Sequence, residues 1–238
     1  MDWWGGEADM RAAARAEFPE VAQLADDGFE LVRRPSTGVL ADRWNFWEGI
    51  LALNISQADN TAACAWELAY AGYYVQSGAL MRLLTEYLAV IWYLPSHQDE
   101  ADKRNDVNKR PPEAGALLKN VFADDQGTSD RFGSLRKDVL HRMAHQDSIG
   151  LRSILGESAD PLTIVINSRG RFHPREFEYT ARLLLPLHAS VPLAIDRWRG
   201  DRDEAWRRDA IAYRSEVVKW IDEWEARNPQ AVESVRTQ

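Results

Sequence analysis

The stretch AACAWELAYAGYYVQSGALMRLLTEYLAVIWYL, residues 62–94, decides the fold. It is the most apolar part of the chain, yet it carries Glu67, Arg82 and Glu86. Charges at that depth are costly in lipid, so the stretch reads as buried helix and not as a membrane span. It is apolar nearly all round, which places it at the centre of a helical bundle. Asn60-Thr61 offers an N-cap ahead of it, and Pro95 ends it. Gly72 and Gly78 permit close helix approach or a bend.

Outward from this stretch the helical period persists. On the N-terminal side, Asp42 to Ser56 sets Trp44, Trp47, Ile50, Leu51, Leu53 and Ile55 against Asp42, Arg43, Asn45 and Glu48. Asp9 to Ala25 carries a helix interrupted near Pro19, and RRPSTG at 33–38 is a loop. On the C-terminal side, the polar run 96–113 is a solvated helix and loop, and Ala114 to Phe122 is a short helix. ADDQGTSD at 123–130 is a loop that caps the helix beginning near Phe132. Ile164, Val165 and Ile166 are β-branched and precede the turn NSRG, which predicts a small β-hairpin near 162–173. Arg175 to Trp198 is helical, with Pro186 and Pro192 as kinks or breaks. Asp201 to Arg227 is amphipathic, with Trp206, Ile211, Val217, Val218, Ile221 and Trp224 as its apolar set. The expected organisation is an N-terminal helical or irregular extension over 1–40, a bundle over 41–228 and a frayed tail over 229–238. The fold class is mainly α, a helical bundle with one small β-hairpin.

Composition narrows the function classes. The chain has 238 residues, a formal net charge of -8 and ten tryptophans. The acidic balance argues against a protein that coats long nucleic acid, so contact with RNA has to be local. The single cysteine, Cys64, excludes an internal disulfide and a cysteine-rich zinc site, and its apolar setting predicts a buried, inert thiol. The start MDWWGGEADMRAAARAEF lacks the uninterrupted apolar core of a secretory signal, and a cytoplasmic location is expected.

The chemistry concentrates in FGSLRKDVLHRMAHQDS, residues 132–148, which holds two of the five histidines. At about 100° per residue, Asp138, His141, Arg142 and His145 fall on one stripe, extended by Ser134 and Arg131. Phe132, Leu135, Val139 and Met143 fall on another, and Arg136 projects beside that apolar face. Imidazoles with an ordinary pKa near 6.5 move protons at neutral pH, an aspartate orients a ring, and arginines hold a phosphate. The combination suits phosphodiester cleavage. The same residues also read as a solvated helix face. A metal on Asp138, His141 and His145, with Glu86 as a further donor, is a third reading, weakened by the Arg142 cation beside it. Arg82 and Glu86, four apart on an otherwise apolar helix, form a buried ion pair or reach the His141–His145 stripe.

An apolar helix with Arg82-x3-Glu86, followed by a later helix with Arg136-x4-His141, resembles the HEPN superfamily of helical-bundle proteins. It is similar in particular to poorly characterised bacterial and phage members. The matching words are MRLLTEYLAVIWYL, FGSLRKDVLHRMAHQDS, TIVINSRGRF and the helices after Pro174, over roughly Asp42 to Trp198. The resemblance implies a metal-independent endoribonuclease of toxin–antitoxin or phage-defence type, acting at a homodimer cleft without a cofactor. Arg136 and His141 would then be the catalytic pair, with His145 as the alternative histidine and Arg131 and Arg142 as substrate contacts. Arg82, Glu86 and Asp138 would support them. An antitoxin or other protein partner belongs to the same expectation. The competing reading is a non-catalytic helical interaction module that docks a partner through Trp3, Trp4, Trp198 and Trp206.

Overall fold

A computed structural model describes residues 5–34, 45–98, 155–156, 165–166, 172–199 and 203–229. These residues are mainly helical: α1 (Gly5–Glu17), α2 (Pro19–Arg33), α3 (Phe46–Tyr70), α4 (Tyr74–Tyr93), α5 (Pro174–Arg199) and α6 (Glu204–Arg227). A short 3-10 turn, Leu94–Ser96, places Pro95 just past α4, the stop expected there. No described helix is long and apolar enough to cross a membrane.

The deciding stretch is divided differently from the expectation. Helix α3 begins at a capping box, in which the Asn45 side chain accepts from the Glu48 N–H at 3.0 Å and the Glu48 carboxylate accepts from the Asn45 N–H at 3.0 Å. It then runs through Asn60-Thr61 without a break. Asn60 points to solvent, where a polar residue of modest helix propensity is tolerated. The real boundary is Gly72, whose φ of 77° ends the helix. The Gly72 N–H donates to Ala69 O at 3.0 Å and the Tyr73 N–H to Leu68 O at 2.8 Å, a Schellman closure that a left-handed glycine makes possible. The chain then starts α4, and α3 and α4 form the most extensive helix pair among the described elements.

Around this pair, α5 packs on α2, α3, α4 and α6, and α2 also packs on α6. The core includes Leu51, Ile55, Trp66, Met81, Leu84, Leu88, Phe177, Leu184 and Trp206, all nearly free of solvent contact. Pro186 and Pro192 do not break α5, which is helical from end to end. A buried face of Phe177, Ala181, Leu184, Leu185, Val191 and Ile195 holds it in place. Helix α6 is capped by Asp203, which accepts from the Trp206 N–H at 2.9 Å. It buries Trp206, Ala210, Tyr213, Val217, Trp220 and Trp224. That set alternates steps of four and three, a seam that faces one partner surface. Two residues expected in it, Ile211 and Val218, are instead about half exposed, at 48% and 47%.

The described strand residues are Leu155–Gly156 and Val165–Ile166, paired antiparallel with Leu155 opposite Ile166. A hairpin across NSRG is not supported: Val165–Ile166 pairs with a segment before it, and 167–171 lies outside the described residues. Cys64 is exposed rather than buried. The helical period turns Ala62, Ala65, Trp66 and Ala69 inward and leaves Cys64 and Glu67 on the outer face.

Candidate functional site

Of the residues singled out for chemistry, Arg131, Arg136, Asp138, His141, Arg142 and His145 lie outside the described residues. Arg82 and Glu86 are both on α4. Their Nε and Oε1 atoms stand 3.9 Å apart, and the side chains are 31% and 41% exposed. The buried ion pair considered from sequence is therefore corrected to a partly wet one. The core face of α4 is Met81, Leu84, Thr85 and Leu88, and positions 82 and 86 fall at its margin. Such a pair contributes little to stability by itself, and Arg82 is engaged beyond it. Both side chains keep part of their surface in solvent. Of the tryptophans proposed for docking, Trp206 is buried and donates its indole N–H to Leu31 O at 2.9 Å. Trp198 is partly buried beside Trp47, with ring centroids 6.4 Å apart. Trp3 and Trp4 lie outside the described residues.

Two further constellations were not anticipated. The first joins the end of α2 to the middle of α3. The Arg33 Nε–H donates to Asp59 Oδ2 at 2.8 Å, and the guanidinium lies over the Phe29 ring, 4.9 Å from its centroid. Asp59 is 6% exposed, and its Oδ1 is sealed from solvent without a hydrogen-bond partner. Burial pushes its carboxyl above the ordinary value, and the bond to Arg33 opposes that rise. The pair lines a groove of about 700 Å³ with Val32, Gly49, Ala52, Leu53 and Ser56. Asp59 gave no sequence cue, because its partner is on another helix.

The second is the core histidine. His188 is fully buried, and its Nδ1 accepts from the Trp66 indole N–H at 3.3 Å. An indole only donates, so the ring proton sits on Nε2. That Nε2 and the buried Tyr213 Oη have no hydrogen-bond partner. Both residues crowd Gly28, where an added Cβ would meet Tyr213 Oη at 2.5 Å and His188 Cε1 at 2.7 Å. The imidazole also packs on Phe29, with centroids 4.2 Å apart. Burial drives the His188 pKa down to about 3, helped by the nearby Arg33 charge, so the ring is neutral at physiological pH. Burial likewise pushes the Tyr213 phenol up. A neutral imidazole that solvent does not reach is packing rather than an acid–base catalyst. Its signal in the sequence is a lone histidine in LLLPLHASVPLAI, in phase with the inward positions Leu184, Val191 and Ile195.

Among the described residues, no group of three His, Cys, Asp or Glu side chains could hold a metal ion. No protein-family model matches the chain, and neither the curated proteins nor the solved structures include a match.

Proposed function

We propose that the chain is a HEPN-like, metal-independent endoribonuclease, a toxin or phage-defence effector that acts as a cytoplasmic homodimer under the control of an antitoxin or other protein partner. The observation that carries the reading is the accessible Arg82–Glu86 pair at the margin of the central helix α4, taken with the Arg136-x4-His141 spacing in the sequence. In this reading the ribose 2′-hydroxyl attacks the adjacent phosphorus. His141, helped by His145, takes the 2′-hydroxyl proton or protonates the departing 5′-oxygen. Arg136 or Arg142 holds the scissile phosphate as charge builds on it, and Arg131 extends the phosphate contact. Asp138 orients a ring, and Glu86 and Arg82 support the stripe. The products are a 2′,3′-cyclic phosphate and a 5′-hydroxyl. Because the nucleophile belongs to the RNA, the reading needs no metal.

The test is incubation of purified protein with total cellular RNA, with and without a chelator. Cleavage that survives chelation is expected. Cleavage that chelation abolishes would transfer the site to Asp138, His141 and His145 as metal ligands. A second reading, a non-catalytic helical interaction module, is favoured by Phe46 and Leu53 on α3, 51% and 59% exposed. Intact RNA after incubation would support it.

A further inference from the structure

We propose that the outward face of α6 docks antiparallel on the same face of a second copy of the chain. The two-fold axis passes through Ser215, with Ile211 beside Val218 of the second copy and Arg208 beside its Asp222. This names a surface for the homodimer of the proposed function, and it rests on the homodimer part of that reading, not on RNA cleavage.

Helix α6 packs on α5 and α2 through its buried set, Trp206, Ala210, Tyr213, Val217, Trp220 and Trp224. Two residues before each member stands a member of a second set: Glu204, Arg208, Ile211, Ser215, Val218 and Asp222. Two residues turn a helix by about 200°, so this second set runs down the opposite face. All six are exposed. The set repeats the four-three spacing by which one helix lies along another. Its two large apolar residues, Ile211 and Val218, are left half exposed one heptad apart. Ser215 stands between them, small enough to let a second helix come close.

The charges select the partner and its direction. Arg208 and Asp222 stand seven residues before and seven after Ser215. Neither joins an ion pair among the described residues, whereas Arg207, Asp209 and Glu225 are committed to Asp196, Arg34 and Arg182 of the same chain. At about 1.5 Å per residue, Arg208 and Asp222 lie about 10 Å from Ser215 along the axis, in opposite directions. An antiparallel copy turned about Ser215 therefore sets Arg208 level with Asp222 at both ends of the contact. It also sets Ile211 within about 1.5 Å of the level of Val218. A parallel copy would set Arg208 on Arg208 and Asp222 on Asp222, and that repulsion excludes it. Arg214 lies about 60° round from Ile211, at the edge of the contact, where its long side chain keeps the charge in water. One surface thus complements itself, as a two-fold contact requires.

Sedimentation velocity of the full-length chain from about 1 to about 500 μM reads the association. A contact along a single helix is small, so a weak, concentration-dependent dimer is expected. Arg208→Asp and Asp222→Arg each set like charges together twice in the dimer, so each should weaken association about tenfold or more. Combining the two exchanges puts opposite charges together again, and association should return to within about threefold of the native value. Ser215→Arg, on the axis, should abolish it. These positions are all exposed, so every variant should keep the native helical content by circular dichroism. A native dimer that neither single exchange weakens, or a combined variant as weak as the single ones, would overturn the α6 contact and leave the homodimer reading standing. A chain that stays monomeric at every concentration would overturn both.

Discussion

His188 sits where water does not reach, and that sets how the fold responds to acid. Its pKa is about 3 in the folded chain, and an exposed histidine in the unfolded chain titrates near 6.5. Between those values the unfolded chain binds a proton that the folded chain refuses. Stability from this residue is therefore complete above about pH 6.5 and falls as pH drops toward 3, by about 1.4 kcal/mol per pH unit. His188→Gln keeps an acceptor for the Trp66 indole N–H. Urea unfolding should show it losing about 2 to 3 kcal/mol less than the native chain between pH 7 and pH 4.5. Parallel losses would mean that the ring takes up its proton inside the fold. Gly28 depends on the same neighbourhood. A methyl group there collides with Tyr213 Oη and His188 Cε1, so Gly28→Ala should cost about 1 to 3 kcal/mol in the same assay. An unchanged unfolding midpoint would show that Tyr213 and His188 yield freely. Neither residue stood out in the sequence, because a histidine or a glycine on the inner face of an amphipathic helix looks alike whether it meets a ring or a gap.

At the scale of the element, hydrophobic period identified the helices and misplaced their seams. The deciding stretch was correctly read as buried helix, but the boundary was assigned to Asn60-Thr61, whose cap chemistry matched. A capping residue works only where the backbone leaves the helix, and Asn60 lies mid-helix on an exposed face. The turn was made by Gly72, read only as a site of close approach or bending, because a positive φ is a property of the backbone path. Gly72→Ala should cost about 1 to 2 kcal/mol through left-handed strain. Asn60→Ala should be neutral or slightly stabilising. Thermal melts that rank these two the other way round would return the boundary to position 60. Helix α6 carries a related lesson. Its buried set steps by four and three from Trp206 to Trp224, whereas the expected set gave Ile211 and Val218 weight for their hydrophobicity. Ala210 and Tyr213 occupy the inward positions despite a small or partly polar side chain. Prolines 186 and 192 were weighted as kinks or breaks for a similar reason, since local propensity cannot register the packing that keeps α5 helical through them.

At the scale of the whole molecule, the mainly α class was legible because the chain is long, apolar residues recur at helical spacing, and strand-like runs are few. The candidate site was legible only as a pattern. Wheel positions place Asp138, His141, Arg142 and His145 on one stripe, and sequence alone does not give the facing surface that would make the stripe a cleft. On the described side, Arg82 and Glu86 turned out wetter than a core pair, which suits a polar site at a helix margin better than a sealed structural bridge. The proposed activity depends on Arg136 and His141 acting together on a phosphodiester. The most direct measurement is the rate at which purified native protein, His141→Ala and Arg136→Ala cut RNA, each variant first shown by circular dichroism to keep its helical content. The native chain should cleave RNA, at a rate that falls at least about a hundredfold in both variants, in line with loss of an acid–base or charge-stabilising group. Cleavage at the native rate in both folded variants would contradict it.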